Sequence, residues 1–147
     1  MPSLSAIVPA TNAPPTLRSC LDAIRAADEP PEELIVVEAG GGPADARNRG
    51  AADAAGDVLV FVDADVVVHS DAFARIRRAF AADPSLAALF GSYDDSPAAP
   101  GAVSAFRNLL HHHVHQEGAG AATTFWAGLG AVRRNVFQEA GGFDAAR

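Results

Sequence analysis

Between residues 57 and 68 the chain reads Asp-Val-Leu-Val-Phe-Val-Asp-Ala-Asp-Val-Val-Val, a β-branched apolar segment interrupted only by Asp63-Ala64-Asp65. Nearly continuous apolar runs mark strands buried on both faces of a parallel sheet, so this segment calls for helices above and below it. Carboxylates are almost never fully buried unless they are paired or ligated. Two of them at the end of such a run are expected to emerge together at the strand's carboxyl end, where open α/β sheets bind ligands. An isolated Asp-x-Asp is equally compatible with a turn and helix cap, so the pair needs support from the rest of the chain.

The order of elements supplies that support. Residues 4–9 form a short apolar run stopped by Pro9, and Thr11-Asn12-Ala13-Pro14-Pro15 provides turn chemistry before the helical spacing of Leu17, Leu21 and Ile24. Pro30-Pro31 closes that helix, and residues 33–38 hold the strand core Leu34-Ile35-Val36-Val37 before Gly40-Gly41-Gly42-Pro43. Residues 45–55 read as a helix ended by Gly56, 57–62 as the third strand, 70–82 as a helix with Ser70 as N-cap, and 86–90 as the fourth strand. This β-α-β-α-β-α-β order predicts the α/β class: a Rossmann-like, three-layer α/β/α arrangement around a mainly parallel sheet. Further on, residues 91–101 read as a loop, 103–116 fit a helix, and Thr123-Thr124-Phe125-Trp126 fits a strand. Gly128 and Gly130 imply close backbone approach, and residues 133–140 suggest a short helix ended by Gly141-Gly142.

With 147 residues and 49% hydrophobic composition, the chain is one domain with a single sizeable core. Its formal net charge of −7 argues against sequence-independent nucleic-acid binding, which needs a basic face. Cys20 is the only cysteine, so an intramolecular disulfide is impossible, and the residue reads as a small buried apolar group. Neither a membrane span nor a signal-peptide pattern is visible, which makes the cytoplasm the expected location.

Three strand ends are expected to share one edge: Pro9 to Asn12, Glu38 to Gly42, and Asp63 to Asp65. A nucleotide suits such a mouth. Mg²⁺ or Mn²⁺ is the implied cation, because hard ions take one or two carboxylates together with substrate phosphates. A dinucleotide-binding domain fits less well, since Pro9-Ala10-Thr11-Asn12 stands where a Gly-x-Gly-x-x-Gly would follow the first strand.

Taken together, these residues resemble family 2 glycosyltransferases of the GT-A fold. Ile7-Val8-Pro9-Ala10-Thr11-Asn12 is similar to the family's opening strand and loop, and Ala46-Arg47-Asn48-Arg49-Gly50 to its second helix. Asp63-Ala64-Asp65 looks like the DxD motif. The segment from Trp126 to Phe137, followed by Gly141-Gly142-Phe143-Asp144, looks like the acceptor-side region. The resemblance implies that residues 1–90 form a nucleotide-binding half and 91–147 the start of an acceptor-side half. It implies that Pro9, Ala10, Thr11 and Asn12 line the base and ribose, that Glu38 stands for an acidic base contact, and that Arg47 and Asn48 face the base or phosphates. Asp63, beside Ala64, would hold the ribose or the metal, and Asp65 would bind the metal. Trp126, Gly128, Gly130 and Arg133 fall on the acceptor or sugar side. Glu38-Ala39 departs from the family's usual pair of Asp residues and leaves the identity of the nucleotide open.

The implied reaction is metal-dependent transfer of a sugar, with inversion, from a UDP- or GDP-linked donor to an acceptor hydroxyl. The family's catalytic base lies beyond the Gly-Gly-Phe-Asp element. With Arg147 as its last residue, the chain is expected to be the amino-terminal portion of a longer catalytic domain, with Asp144 as an acceptor contact and any membrane association carried by the missing part. The alternative is a catalytically incomplete nucleotide-sugar-binding module, and truncation would favour a homo-oligomer. Within His111-His112-His113-Val114-His115, His111 and His115 share a helical face that could chelate a metal, or they form a polar helix surface. Trp126 is either a sugar platform or a core residue. Arg133 and Arg134 are open to a phosphate or anionic-acceptor role, or to solvation.

Overall fold

The computed structural model describes residues 1–38, 40–93, 103–110 and 128–144, with backbone alone at 92–93 and 103–110. In chain order the elements are β1 (Leu4–Pro9), α1 (Leu17–Ala26), β2 (Glu33–Val37), α2 (Pro43–Asp53), β3 (Val58–Val62) and β4 (Val66–Val68). Then come α3 (Ala72–Ala82), β5 (Ala88–Tyr93), β6 (Val103–Leu110), β7 (Leu129–Arg133) and α4 (Arg134–Ala140). Among the described residues the seven strands form one sheet in the order β2-β1-β3-β7-β5-β6-β4.

The layers follow from the period-two alternation of a strand. On β3, Val58, Val60 and Val62 join Leu4, Ala6 and Val8 of β1 in packing against Cys20 and Ile24 of α1 and Phe73, Ile76 and Phe80 of α3. Leu59 and Phe61 point the other way, with Ile7, to meet Ala51 of α2 and Val136 and Phe137 of α4. The sheet is therefore sandwiched between helices, as the element order predicts. All five β3 residues are fully buried, which explains why this strand tolerates no polar residue until Asp63. Gly50 lets α2 approach β1 closely, because a Cβ there would collide with Cγ2 of Ile7. Phe61 is flanked by Phe137 and Phe143 at ring-centroid distances of 5.5 and 5.2 Å. Truncating so buried a ring to alanine costs about 3–5 kcal/mol.

The sheet is mixed. β1 pairs in parallel with β2 and β3, but β7 inserts antiparallel between β3 and β5 and so connects the early strands to the later ones. β6 runs antiparallel to β5 and parallel to the short edge strand β4.

Three expectations are corrected. Residues 103–110 are strand rather than the start of a helix. Their helix-like spacing is overridden by backbone pairing on both sides, because β5 and β4 would otherwise each lack a partner at this position. Residues 91–93 extend β5 instead of opening a loop. Ser70 is not the cap of α3. That helix begins after Asp71 without a side-chain cap, and the Ala72 amide bonds the His69 carbonyl at 3.1 Å. The rest of the 91–101 loop, residues 111–116 with the histidine group, and Thr123 to Trp126 lie outside the described residues.

Candidate functional site

The carboxyl ends of β1, β2 and β3 share one edge, and the amide of Ala10 donates to the Val37 carbonyl at 2.8 Å, tying the first two tips together. Pro9 closes β1, Ala10 is buried, and Asn12 is exposed with a left-handed φ of 68°, a conformation that asparagine adopts more readily than most residues. Thr11 stands between them with its Oγ1 buried and without a hydrogen-bond partner. Glu38 follows β2 and is exposed.

Asp63-Ala64-Asp65 forms the turn between β3 and β4, closed by the Val66 amide on the Asp63 carbonyl at 3.0 Å. Ala64 is buried, so the turn is anchored through its middle while the carboxylates flank it. Asp63 is half-buried, and its Oδ1 accepts from Arg47 Nη2 at 2.6 Å. Asp65 is exposed, with no cationic partner among the described residues. Beneath the turn, the thiol of Cys20 donates to the Asp63 carbonyl at 3.4 Å. Burial, reinforced by the charges of Asp65 and Asp63, pushes this thiol up to about 12. Cys20 is thus a small buried residue, as expected, and also a neutral support for the turn, a place that its amphipathic spacing alone does not indicate.

α2 carries the rest of the site. It starts at Gly42-Pro43 with no side-chain cap, leaving first-turn amides for the mouth. Gly41 has φ 113°, and a Cβ there would strike the Asp45 carboxylate, so glycine is required twice over. Asp45 Oδ2 is buried; Arg49 Nε lies 2.9 Å away but outside hydrogen-bond geometry. Arg47 places its guanidinium 5.6 Å from the Phe143 ring centroid while bonding Asp63, and its buried Nε has no partner. Asn48 departs from its expected role. Its Nδ2 donates to the Phe143 carbonyl at 2.8 Å and its Oδ1 accepts from the Phe143 amide at 2.9 Å, so the side chain grips residue 143 and is not turned to a base or phosphate.

On the acceptor side the outcomes divide. Gly128 lies at the mouth, its carbonyl accepting from the Asp63 amide at 3.0 Å, and Gly130 pairs with Phe61 and Phe90 in the middle of the sheet. Asp144 is exposed and follows the gripped Phe143. Arg133 is corrected: β7 runs antiparallel to β3 and carries it to the opposite edge, paired with Val58. There its guanidinium donates to the carbonyls of Leu86, Phe80 and Asp83 at 2.7, 3.0 and 3.0 Å, binding the carboxyl end of α3. Arg134 likewise donates to Gly56 at 2.9 Å. Neither arginine reaches the mouth. Trp126 lies outside the described residues.

The donor set suits an open hard-cation site. Asp63 and Asp65 present carboxylate oxygens, no group of three or more His, Cys, Asp or Glu residues that could hold a metal assembles among the described residues, and the Cys20 thiol stays protonated. Such a set matches an ion that keeps waters and substrate phosphates as its remaining ligands, rather than one held in a protein cage. Thr11 Oγ1 and Arg47 Nε are buried without a hydrogen-bond partner and so keep polar capacity that a ligand or an ordered water would take up.

The family model of glycosyl transferase family 2 matches residues 38–141, spanning α2, both carboxylates, β7 and α4. The chain belongs to this family. Its fold is also that of solved nucleotide-sugar enzymes. A mannosyltransferase from Pyrobaculum calidifontis, solved in complex with GDP-Man and Mn²⁺, superposes with a TM-score of 0.66 at 21% identity over 98% of this chain and 48% of that one. A CMP:2-keto-3-deoxy-manno-octonic acid synthetase complexed with CTP gives 0.55 at 10% identity over 95% and 77%. This glycosyl transferase family 2 chain therefore spans about half the length of the mannosyltransferase it matches. No curated protein matches it.

Proposed function

We propose that the chain is the donor-binding part of a metal-dependent, inverting glycosyltransferase that uses a UDP- or GDP-linked sugar. The observation that carries this reading is that Thr11 Oγ1 and Arg47 Nε, both buried and without a hydrogen-bond partner, belong to segments at the same carboxyl edge as Asp63-Ala64-Asp65, where Arg47 already pairs with Asp63. Family membership supports it, and a fold shared with an enzyme solved with GDP-Man and Mn²⁺ agrees with it.

In this reading Asp65, with the free lone pairs of Asp63, would hold Mg²⁺ or Mn²⁺. When bound, the cation supplies Lewis-acid neutralisation of the departing nucleoside diphosphate. Arg47 moderates the local negative charge by pairing with Asp63 and keeps Nε–H for a donor oxygen. Thr11 Oγ1 and the loop from Pro9 to Asn12 take the ribose and base, with Glu38 as the exposed base contact. The uncapped start of α2 favours an anion through its free amides. The Ala64 methyl and the Cys20 thiol fix the turn from below, so the carboxylates need not reorganise when the diphosphate leaves. Gly128 brings the acceptor-side backbone against Asp63, and Asp144 is the acceptor contact.

Calorimetric titration with GDP or UDP in the presence and absence of Mn²⁺ tests the donor site, and the expected result is binding that requires the cation. Binding indifferent to Mn²⁺ would remove the metal from the reading. Release of free sugar or its transfer from the sugar nucleotide would establish an enzyme, whereas tight cation-dependent binding without turnover would establish a binding module.

A further inference from the structure

The two neighbouring side chains Arg47 and Asn48 of α2 hold two different segments. Arg47 holds the tip of β3 through Asp63, and Asn48 holds the stretch after α4 through both main-chain groups of Phe143. Two further contacts lock the arrangement. The Phe143 ring lies against the Arg47 guanidinium and packs on Phe61 at 5.2 Å and Phe137 at 5.6 Å. Gly142 has φ 77°, and a Cβ there would come within 2.7 Å of Asn48 Oδ1, so only glycine lets the amide close on residue 143.

A free arginine side chain loses much rotamer entropy on being fixed. Here the fixing is divided between a carboxylate at one end and an aromatic face that is itself pinned by an amide clamp. The guanidinium is mostly buried, at 16% side-chain exposure, yet its Nε–H is unbonded. A single ion pair to a half-exposed carboxylate would not hold a long side chain in this pose.

We propose that Asn48, Gly142 and Phe143 are positioning residues that hold Arg47 across Asp63 with Nε–H aimed at an oxygen of the donor's diphosphate. The clamp couples the segment bearing Asp144 to the donor site, because the same α2 turn sets both. The identity of the Nε partner rests on the donor-site reading proposed above, whereas the holding of Arg47 does not.

The test compares Asn48→Leu, Phe143→Leu, Arg47→Ala and the double variant Arg47→Ala/Asn48→Leu in the whole chain, by calorimetry with GDP and UDP plus Mn²⁺. Asn48→Leu and Phe143→Leu each weaken binding about tenfold, the scale of one charge-assisted hydrogen bond. With Arg47 already removed, Asn48→Leu causes no further loss of affinity, although it still lowers the melting temperature. Losses that multiply in the double variant, or unchanged affinity in both folded single variants, would overturn the proposal. Phe143→Leu keeps the backbone clamp and so remains informative if Asn48→Leu fails to fold. Nuclear magnetic resonance of the nucleotide-free protein separates the two readings. A distinct Arg47 Nε–H signal that collapses to the averaged position in Phe143→Leu supports the clamp even if no nucleotide binds; the same signal in both proteins refutes it.

Discussion

The two edges of the sheet treat polar groups in opposite ways. At the amino edge of β1 and β3 hydrogen bonds close on one another. Ser5, fully buried, donates to Glu33 and accepts from the Gly56 amide at 2.8 Å, and Glu33 also takes the Ala55 amide. Asp57 accepts from the amide and hydroxyl of Ser3. Arg77, buried on α3, donates to the carbonyls of Pro2, Pro30 and Glu29 and to Glu32, whose other oxygen takes the Leu4 amide. At the carboxyl edge, Thr11 Oγ1 and Arg47 Nε are buried without hydrogen bonds. Burying a polar group without a partner costs free energy that a bound ligand or an ordered water returns. The sealed edge builds the fold, and the open edge is the one that carries the proposed donor site.

The largest test of this contrast is Arg77→Leu. It strands three carbonyls and the Glu32 carboxylate, so it should destabilise by about 3 kcal/mol in denaturant unfolding while leaving nucleotide affinity of the folded fraction unchanged. Asp65→Ala is the converse. Asp65 is exposed, so the melting temperature should stay within about a degree or two of the parent, while Mn²⁺-dependent affinity falls at least about a hundredfold. A variant at either edge that moved both quantities would erase the division.

Acid should separate the edges as well. Burial alone would raise the Glu32 carboxyl, but the hydrogen bonds from Arg77 and the Leu4 amide prevail and hold it below its ordinary range. The Ala55 amide and Ser5 hydroxyl lower Glu33, and the Ser3 amide and hydroxyl lower Asp57. Each folded pKa lies below its unfolded value, so the stabilisation is complete above the unfolded value and is lost as pH falls through the folded one. Stability should therefore be flat near neutrality and decline below about pH 4. Asp57→Asn should make that decline shallower, which unfolding curves at several acidic pH values would detect.

What could be read from the chain follows the same division between local and long-range information. β1, α1, β2, α2 and β3 were legible because each carries its own periodicity and turn residues, and because β3 announces its burial through an unbroken apolar run. Asp63 and Asp65 were legible because carboxylates interrupt that run. Strand direction was not. Nothing local in Leu129–Arg133 says that it enters the sheet antiparallel between β3 and β5, and that single fact moves Arg133 from the expected mouth to the carboxyl end of α3. Residues 103–110 misled for a related reason, since their pairing partners lie elsewhere in the chain. The Asn48–Phe143 clamp joins residues 95 apart, and its one sequence trace is Gly142 beside Gly141 where a helix stop needs only one glycine.

The smallest expected effect is the most diagnostic, because it sets one chemical change against two environments. Ser5→Ala removes a hydroxyl that satisfies the Gly56 amide and Glu33, and should destabilise by about 1–2 kcal/mol. Thr11→Val removes a hydroxyl with no hydrogen-bond partner at nearly constant volume, and should stabilise the ligand-free protein by up to about 1 kcal/mol. The same valine would then weaken nucleotide binding by withdrawing a donor that the ligand needs, the trade expected where a site is held strained for function. Opposite signs in thermal melts, with a loss of affinity only for Thr11→Val, would show that the open edge sacrifices stability for binding. A Thr11→Val protein no more stable than the parent would mean that the hydroxyl already has a partner, such as an ordered water, and that the mouth is less poised than its unpaired atoms imply.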